Sequence, residues 1–184
     1  MVTALKTSIN ILLVFLFAAC TSVPDERMTP YVDFPETREL TARTLSLDSA
    51  LFRYPYRVRV QDDKAVVLDL HGTEYFFHAF HYPGFHYLSS FGKRGDAPEE
   101  MLSAENLRWN GNFLWTLDSN KSELTRLGFA SSGDSLLRLE AVSLDEELLR
   151  ALDFVQYDDS TFIIPDYSGD SRFCLVSRQG KLLH

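Results

Sequence analysis

The chain has 184 residues, of which 45% are hydrophobic and 13% aromatic, and its formal net charge is −8. A strongly acidic balance excludes nucleic acid as a natural partner, because phosphate contacts need a basic surface. Two cysteines are too few for a disulfide scaffold.

The N-terminus opens with one basic side chain, Lys6, and an apolar run from Ile9 to Ala19 that stops at Cys20. A positive start, a short apolar run and small residues before a cut define a secretory signal. The run falls short of the roughly 20 apolar residues that a membrane-spanning helix needs. Ala18-Ala19-Cys20 resembles a bacterial lipobox, so residues 1–19 are expected to be removed and Cys20 to carry a lipid. Residues 20–38 hold three prolines and mixed charges with little apolar periodicity, the composition of a tether. Residues 39–184 remain as one domain. Its cysteine, Cys174, lies in the apolar run Phe173-Cys-Leu-Val176 and reads as a small buried hydrophobe.

Within that domain three segments align without gaps: Gln61–Asp69, Asn110–Asp118 and Asp158–Asp166. Each begins with a polar turn pair, continues as an apolar run and ends in Asp. Asp69, Asp118 and Asp166 recur at intervals of 49 and 48 residues. Glycine follows three places after two of them, at Gly72 and Gly169, and a further strand-like run comes next: Glu74–His81, Glu123–Ala130 and Ser171–Ser177. Short strands also precede the turn pairs, at Tyr56–Val60, Glu105–Trp109 and Asp153–Tyr157. Four short strands per repeat is the content of a propeller blade. The expected fold is all-β, an incomplete propeller of three four-stranded antiparallel blades, over about residues 56–95, 105–142 and 153–184. Ser143-Leu-Asp-Glu146 spells a capping box before Leu148 and Leu149, which predicts one short helix between the second and third blades.

Pro83-Gly84 marks a turn between Glu74–Tyr82 and Phe85–Phe91. Pairing across it places Phe80 opposite Tyr87, His81 opposite His86 and Phe76 opposite Phe91, with apolar residues on both faces. A blade held between two neighbours needs two apolar faces, whereas a sheet wetted on one side needs one.

These repeats resemble those of six-bladed propellers of the NHL and TolB-like kind. The second repeat carries the likeness best, in Phe113-Leu-Trp-Thr-Leu-Asp-Ser-Asn120, Leu124-Thr-Arg-Leu127 and Gly133. The segment Phe91–Glu100, with Gly92, Gly95, Pro98 and Glu100, is similar to the glycine-rich stretch of TolB-like propeller lipoproteins of Bacteroides-type bacteria. The resemblance implies a fold and an outer-membrane lipoprotein setting, on the periplasmic or the surface side. It implies no activity, because propellers host many unrelated functions.

The function expected is therefore a membrane-anchored binding or scaffold module without a cofactor. The alternative is a propeller hydrolase or lactonase with a cation on the axis. His81 and His86 face each other and are weak metal candidates, short of the three or four ligands a site requires. Asp69, Asp118 and Asp166 recur at the same strand end, which suits a local job: accepting backbone N–H groups of the following turn. Three blades cannot close a ring of four to eight. Either further C-terminal blades or a second copy should cover the open faces. Leu40–Leu47 reads as a strand that could complete a missing blade.

Overall fold

The computed structural model describes residues 36–45, 47 and 50–184. The signal segment and Cys20 lie outside the described residues. The chain divides into residues 1–43 and 44–184, and the fold below is that of the second unit.

Three antiparallel sheets follow one another along the chain. The first contains β1 (Pro55–Gln61), β2 (Lys64–Asp69), β3 (Tyr75–His81) and β4 (His86–Lys93). The second contains β5 (Asn106–Asn110), β6 (Phe113–Asp118), β7 (Glu123–Phe129) and β8 (Leu136–Ser143). The third contains β9 (Val155–Gln156), β10 (Thr161–Pro165) and β11 (Phe173–Ser177). In every sheet neighbouring strands are sequence neighbours, the up-and-down order of a propeller blade. The third sheet has three strands. The chain beyond Gly180 turns back along β11, with Leu182 bridging to Val176 and the Leu183 amide donating to the Leu175 carbonyl at 2.8 Å.

Tight turns set the register. Asn110-Gly-Asn-Phe113 closes a two-residue loop in which Gly111 takes φ +53°, a left-handed angle that suits the twist of a hairpin. In the first blade, His81 pairs with His86 and Phe80 with Tyr87, as the sequence suggests. Phe91 pairs with Phe77, however, and not with Phe76. The register shifts between Ala79 and Phe80, leaving Leu88 unpaired. A bulge of one residue moves every partner beyond it by one place. Phe76 and Phe77 are both fully buried, so both faces of the sheet are covered.

Two cores lie between successive sheets. Val66, Leu68, Phe77 and Ala79 of the first meet Met101, Ala104, Leu107, Leu114 and Leu127 of the second. Trp115, Leu117, Leu124 and Val142 of the second meet Leu148, Ala151, Phe154, Phe162, Ile164, Cys174 and Val176 of the third. A smaller cluster packs Leu47, Ala50 and Phe52 over Ala65, Val67 and Phe80 on the outer face of the first blade.

Two expectations fail. Residues 143–151 form no helix. Leu144 donates its amide to the Ser122 carbonyl and Asp145 to that of Gly180, while the local bonds run from the Leu148 amide to the Asp145 carbonyl and from the Glu147 amide to the Asp145 side chain. The Leu149 and Arg150 amides go to the Asp166 carboxylate, each at 3.0 Å. A capping box can start a helix only if the next turn's amides are free, and these are taken. Residues 40–45 and 47 likewise carry no strand, with Leu40 almost fully exposed.

Candidate functional site

Each aspartate sits where its strand meets the turn: Asp69 closes β2, Asp118 closes β6, and Asp166 directly follows β10. All three are buried, and their carboxylates accept in the same pattern. Asp69 takes the Arg53 and Tyr54 amides at 2.8 and 2.6 Å, with His71 at 3.4 Å. Asp118 takes Leu102 and Ser103 at 2.7 and 3.2 Å, then Asn120 and Lys121 at 3.1 and 3.0 Å. Asp166 takes Leu149, Arg150, Ser168 and Gly169, all at 3.0 Å. Each carboxylate therefore caps the turn after its strand and also ties down the connection entering its own blade. That second half was not foreseen. Its signal was present in the apolar residue before each tied pair (Phe52, Met101 and Leu148), which plugs the space beside or between the blades.

Carboxylates so engaged are poor cation ligands. Burial alone would push the Asp166 carboxyl up, but its four backbone N–H bonds outweigh this and leave it below the usual carboxylate range. A depressed carboxyl stabilises the fold above its unfolded pKa of about 4, and that stability is lost as pH falls through the lower folded value. The Glu140 carboxyl is likewise lowered, first by its hydrogen bond from Arg178. Thermal melts should be flat near neutrality and fall steeply below about pH 4; a melt unchanged there would contradict these bonds.

The histidines do not converge. His81 and His86 face each other at the exposed end of their hairpin, and His81 Nδ1 lies 3.4 Å from an Asp63 carboxylate oxygen. His78 is buried, shares a hydrogen bond with Ser90 Oγ at 2.7 Å and stands edge-on to Phe52. Burial lowers its pKa, which keeps the ring neutral. His71 lies against the Tyr54 ring. Among the described residues no three His, Cys, Asp or Glu side chains gather as a metal site.

The inner strands carry a different chemistry, unnoticed in the sequence. Side chains alternate along β1, and Arg57, Arg59 and Gln61 all turn toward the second blade. Arg57 bonds the Asn106 side chain, Arg59 Nε donates to the Leu107 carbonyl at 3.2 Å, and Gln61 donates to the Gly111 carbonyl. On β5, Arg108 forks onto Asp153 with two bonds of 2.9 Å, and Asn106 reaches the same carboxylate. Three arginines thus lie on facing strands, and of these Arg108 holds the Asp153 carboxylate. Among the described residues neither Arg57 nor Arg59 forms an ion pair. The pKa of Arg59 is lowered first by burial and then by the positive charge of Arg57 and Arg108. Arg59 and Arg108 line a cleft of about 530 Å³ with Trp109, Trp115, Gln156 and Tyr157. Asp158 and Asp159 line it as well, and the Asp158 carboxylate accepts from Ser160 and Thr161.

Successive antiparallel sheets of four, four and three strands stacked face to face, with a buried aspartate at the end of each second strand, define a β-propeller of repeated blades. A family model described as TolB-like 6-blade propeller-like matches residues 33–184, and the chain belongs to that family. Among solved structures, a Bacteroides fragilis NCTC 9343 protein described as exported matches at 15% identity with a TM-score of 0.59. The match covers 78% of this chain and 40% of that one, so the chain spans well under half the length of this neighbour. At that identity the likeness is one of fold. No curated protein matches the chain. Among the described residues no helix is long and apolar enough to cross a membrane.

Proposed function

We propose that the chain is an exported binding module of the bacterial envelope, anchored to the outer membrane by a lipid on Cys20, and that the cleft along its inner strands receives an anionic group of its ligand. The observation that carries the binding reading is the arginine wall. Among the described residues Arg59 has no carboxylate partner; it is half-buried and lines an open cleft. A hydrolase built around an axial cation would gather free carboxylates here, whereas Arg59 and Arg108 bring positive charge that repels a cation, and the Asp158 carboxylate is already hydrogen-bonded to Ser160 and Thr161. Citrate serves as an anionic probe. It should raise the melting temperature of the protein by several degrees at saturating concentration, as expected when a ligand binds only the folded state. Arg59→Glu should abolish that rise. A rise with calcium in place of citrate would favour the enzyme reading.

Anchoring is supported by the apolar run ending in Ala18-Ala19-Cys20 and by the exported description of the B. fragilis neighbour. Two or more acyl chains, each buried CH₂ contributing about 0.8 kcal/mol, hold a domain firmly at a bilayer. Cys20→Ala should leave the protein unprocessed or move it out of the membrane fraction. A mature wild-type chain that starts elsewhere, with a free thiol at Cys20, would refute the anchor.

A further inference from the structure

We infer that the cleft takes a sugar acid, a pyranose ring whose carboxylate lies on Arg59 and whose neighbouring hydroxyls meet Gln156 and Trp109. The inference rests on the anionic reading of the cleft and adds what the rest of the ligand is made of. The lining comes from the inner strands of all three blades, with Arg59 on β1, Arg108 and Trp109 on β5 and Gln156 on β9. The blades of a propeller stand around a central channel whatever their number. These inner-strand residues therefore belong to that channel in a complete ring as well.

Two atoms give the polarity of the ligand. Among the described residues four buried side-chain atoms have no hydrogen-bond partner, and two of them, Gln156 Oε1 and Trp109 Nε1, belong to residues that line this cleft. An unpaired buried polar atom is costly, and two gathered at one site are explained by a guest that completes both. The Gln156 amide is oriented, because its Nε2 donates to the Asp158 carbonyl at 3.0 Å and leaves Oε1 as the free end. An amide oxygen only accepts and an indole nitrogen only donates. The guest must therefore offer a donor and an acceptor. Both residues are half-buried rather than sealed, and a small side-chain rotation, common on binding, presents each atom to it.

Charge and donor type narrow the class. Arg59 Nε is held by the Leu107 carbonyl at 3.2 Å, and among the described residues no bond engages its terminal nitrogens, a pair able to fork onto a carboxylate. Arg108 already holds Asp153, so Arg59 supplies the charge. Asp158 and Asp159 also line the cleft. A phosphate monoester, with about two negative charges, would meet more repulsion from them than a carboxylate with its single charge. One hydroxyl both donates and accepts, so neighbouring hydroxyls satisfy Gln156 and Trp109 together. An ammonium only donates and would leave Trp109 unpaired. A carboxylate on a ring of hydroxyls is a sugar acid, and a cleft of about 530 Å³ falls within the range of small-molecule sites.

The test uses the full chain in detergent and probes that share a six-membered ring. Methyl glucuronide carries the carboxylate and the hydroxyls, cyclohexanecarboxylate the carboxylate alone, and methyl glucoside the hydroxyls alone. Titration calorimetry should show the glucuronide binding about tenfold more tightly than cyclohexanecarboxylate, the gain of two ordinary hydrogen bonds. The glucoside should bind at least as much more weakly, having lost the contact with Arg59. Gln156→Leu should weaken the glucuronide about threefold and leave cyclohexanecarboxylate unchanged. Trp109→Phe, which keeps a ring and loses the N–H donor, should do the same. Equal binding of the glucuronide and cyclohexanecarboxylate, equal binding of the glucuronide and the glucoside, or variants that weaken both acids alike overturns the inference. If citrate still raises the melting temperature in that case, the anionic reading of the cleft stands without it; if citrate also fails, both fall.

Discussion

Replacing Asp118 by alanine is expected to cost about 3–5 kcal/mol, enough to unfold most of a marginally stable domain. Its carboxylate accepts four backbone amides and the Ser103 hydroxyl, while the residue itself is 1% exposed. Alanine leaves those donors facing an apolar hole, and a buried donor without a partner costs about 1–3 kcal/mol. Partial collapse and water entry reduce the total below the simple sum. Asp118→Asn preserves shape but turns one acceptor oxygen into an NH₂ that points at amides, so it should lose about half as much. Chemical denaturation of the three proteins measures the order directly. If Asp118→Ala unfolds within 1 kcal/mol of wild type, the carboxylate is not the clamp that its bonds describe.

Trp115→Ala is expected to cost a further large amount, about 3–5 kcal/mol, in the range for removing a large aromatic from a packed interior. Trp115 is 2% exposed and meets the Phe162 ring edge-on at 5.1 Å, across the joint between the second and third blades. The Arg178 guanidinium sits 4.9 Å from the Trp115 ring centre and also forks onto Glu140 of β8 with bonds of 2.9 and 2.7 Å. One substitution therefore removes an apolar contact and the platform under an interblade ion pair. Arg178→Ala alone should cost much less, about 1 kcal/mol or below, because partly solvated ion pairs contribute little. The double variant should fall short of the sum of the two single losses, since both act through one contact. Additivity within 0.5 kcal/mol would show the ring and the guanidinium to be independent.

The strand ladder was legible from the sequence because its two signals are local. Polar pairs such as Asp62-Asp63 and Gly111-Asn112 mark hairpins, and runs such as Val66-Val67-Leu68 mark the strands between them. What escaped was decided by competition at a distance. The capping box at Ser143–Glu146 is a sound local signal, and it lost because Asp166, some 17 residues away, claims the Leu149 amide. The bulge between Ala79 and Phe80 comes from the fit of one twisted sheet against the next, and no residue announces it. The spacing of the three aspartates could be read, but only half of what they hold. The arginine wall could have been found, since Arg57 and Arg59 alternate along one strand. Alternation alone, however, does not separate a strand face that lines a cleft from one that faces solvent.

The carboxylate clamps also bear on how this chain acquires its shape. Each one joins groups only 15 to 17 residues upstream and two or three downstream, so the loops that must close are short and their entropic cost is small. A blade is thus a low-contact-order unit, able to form before its neighbours are in place. Blades then add to one another by nearest-neighbour contact, as in a linear array, and cooperativity resides in the joints. The middle blade has two joints and the outer blades one each within the chain. Amide protons of β6, a central strand of the blade with a joint on each side, should accordingly exchange more slowly than those of the edge strands β1, β5 and β9.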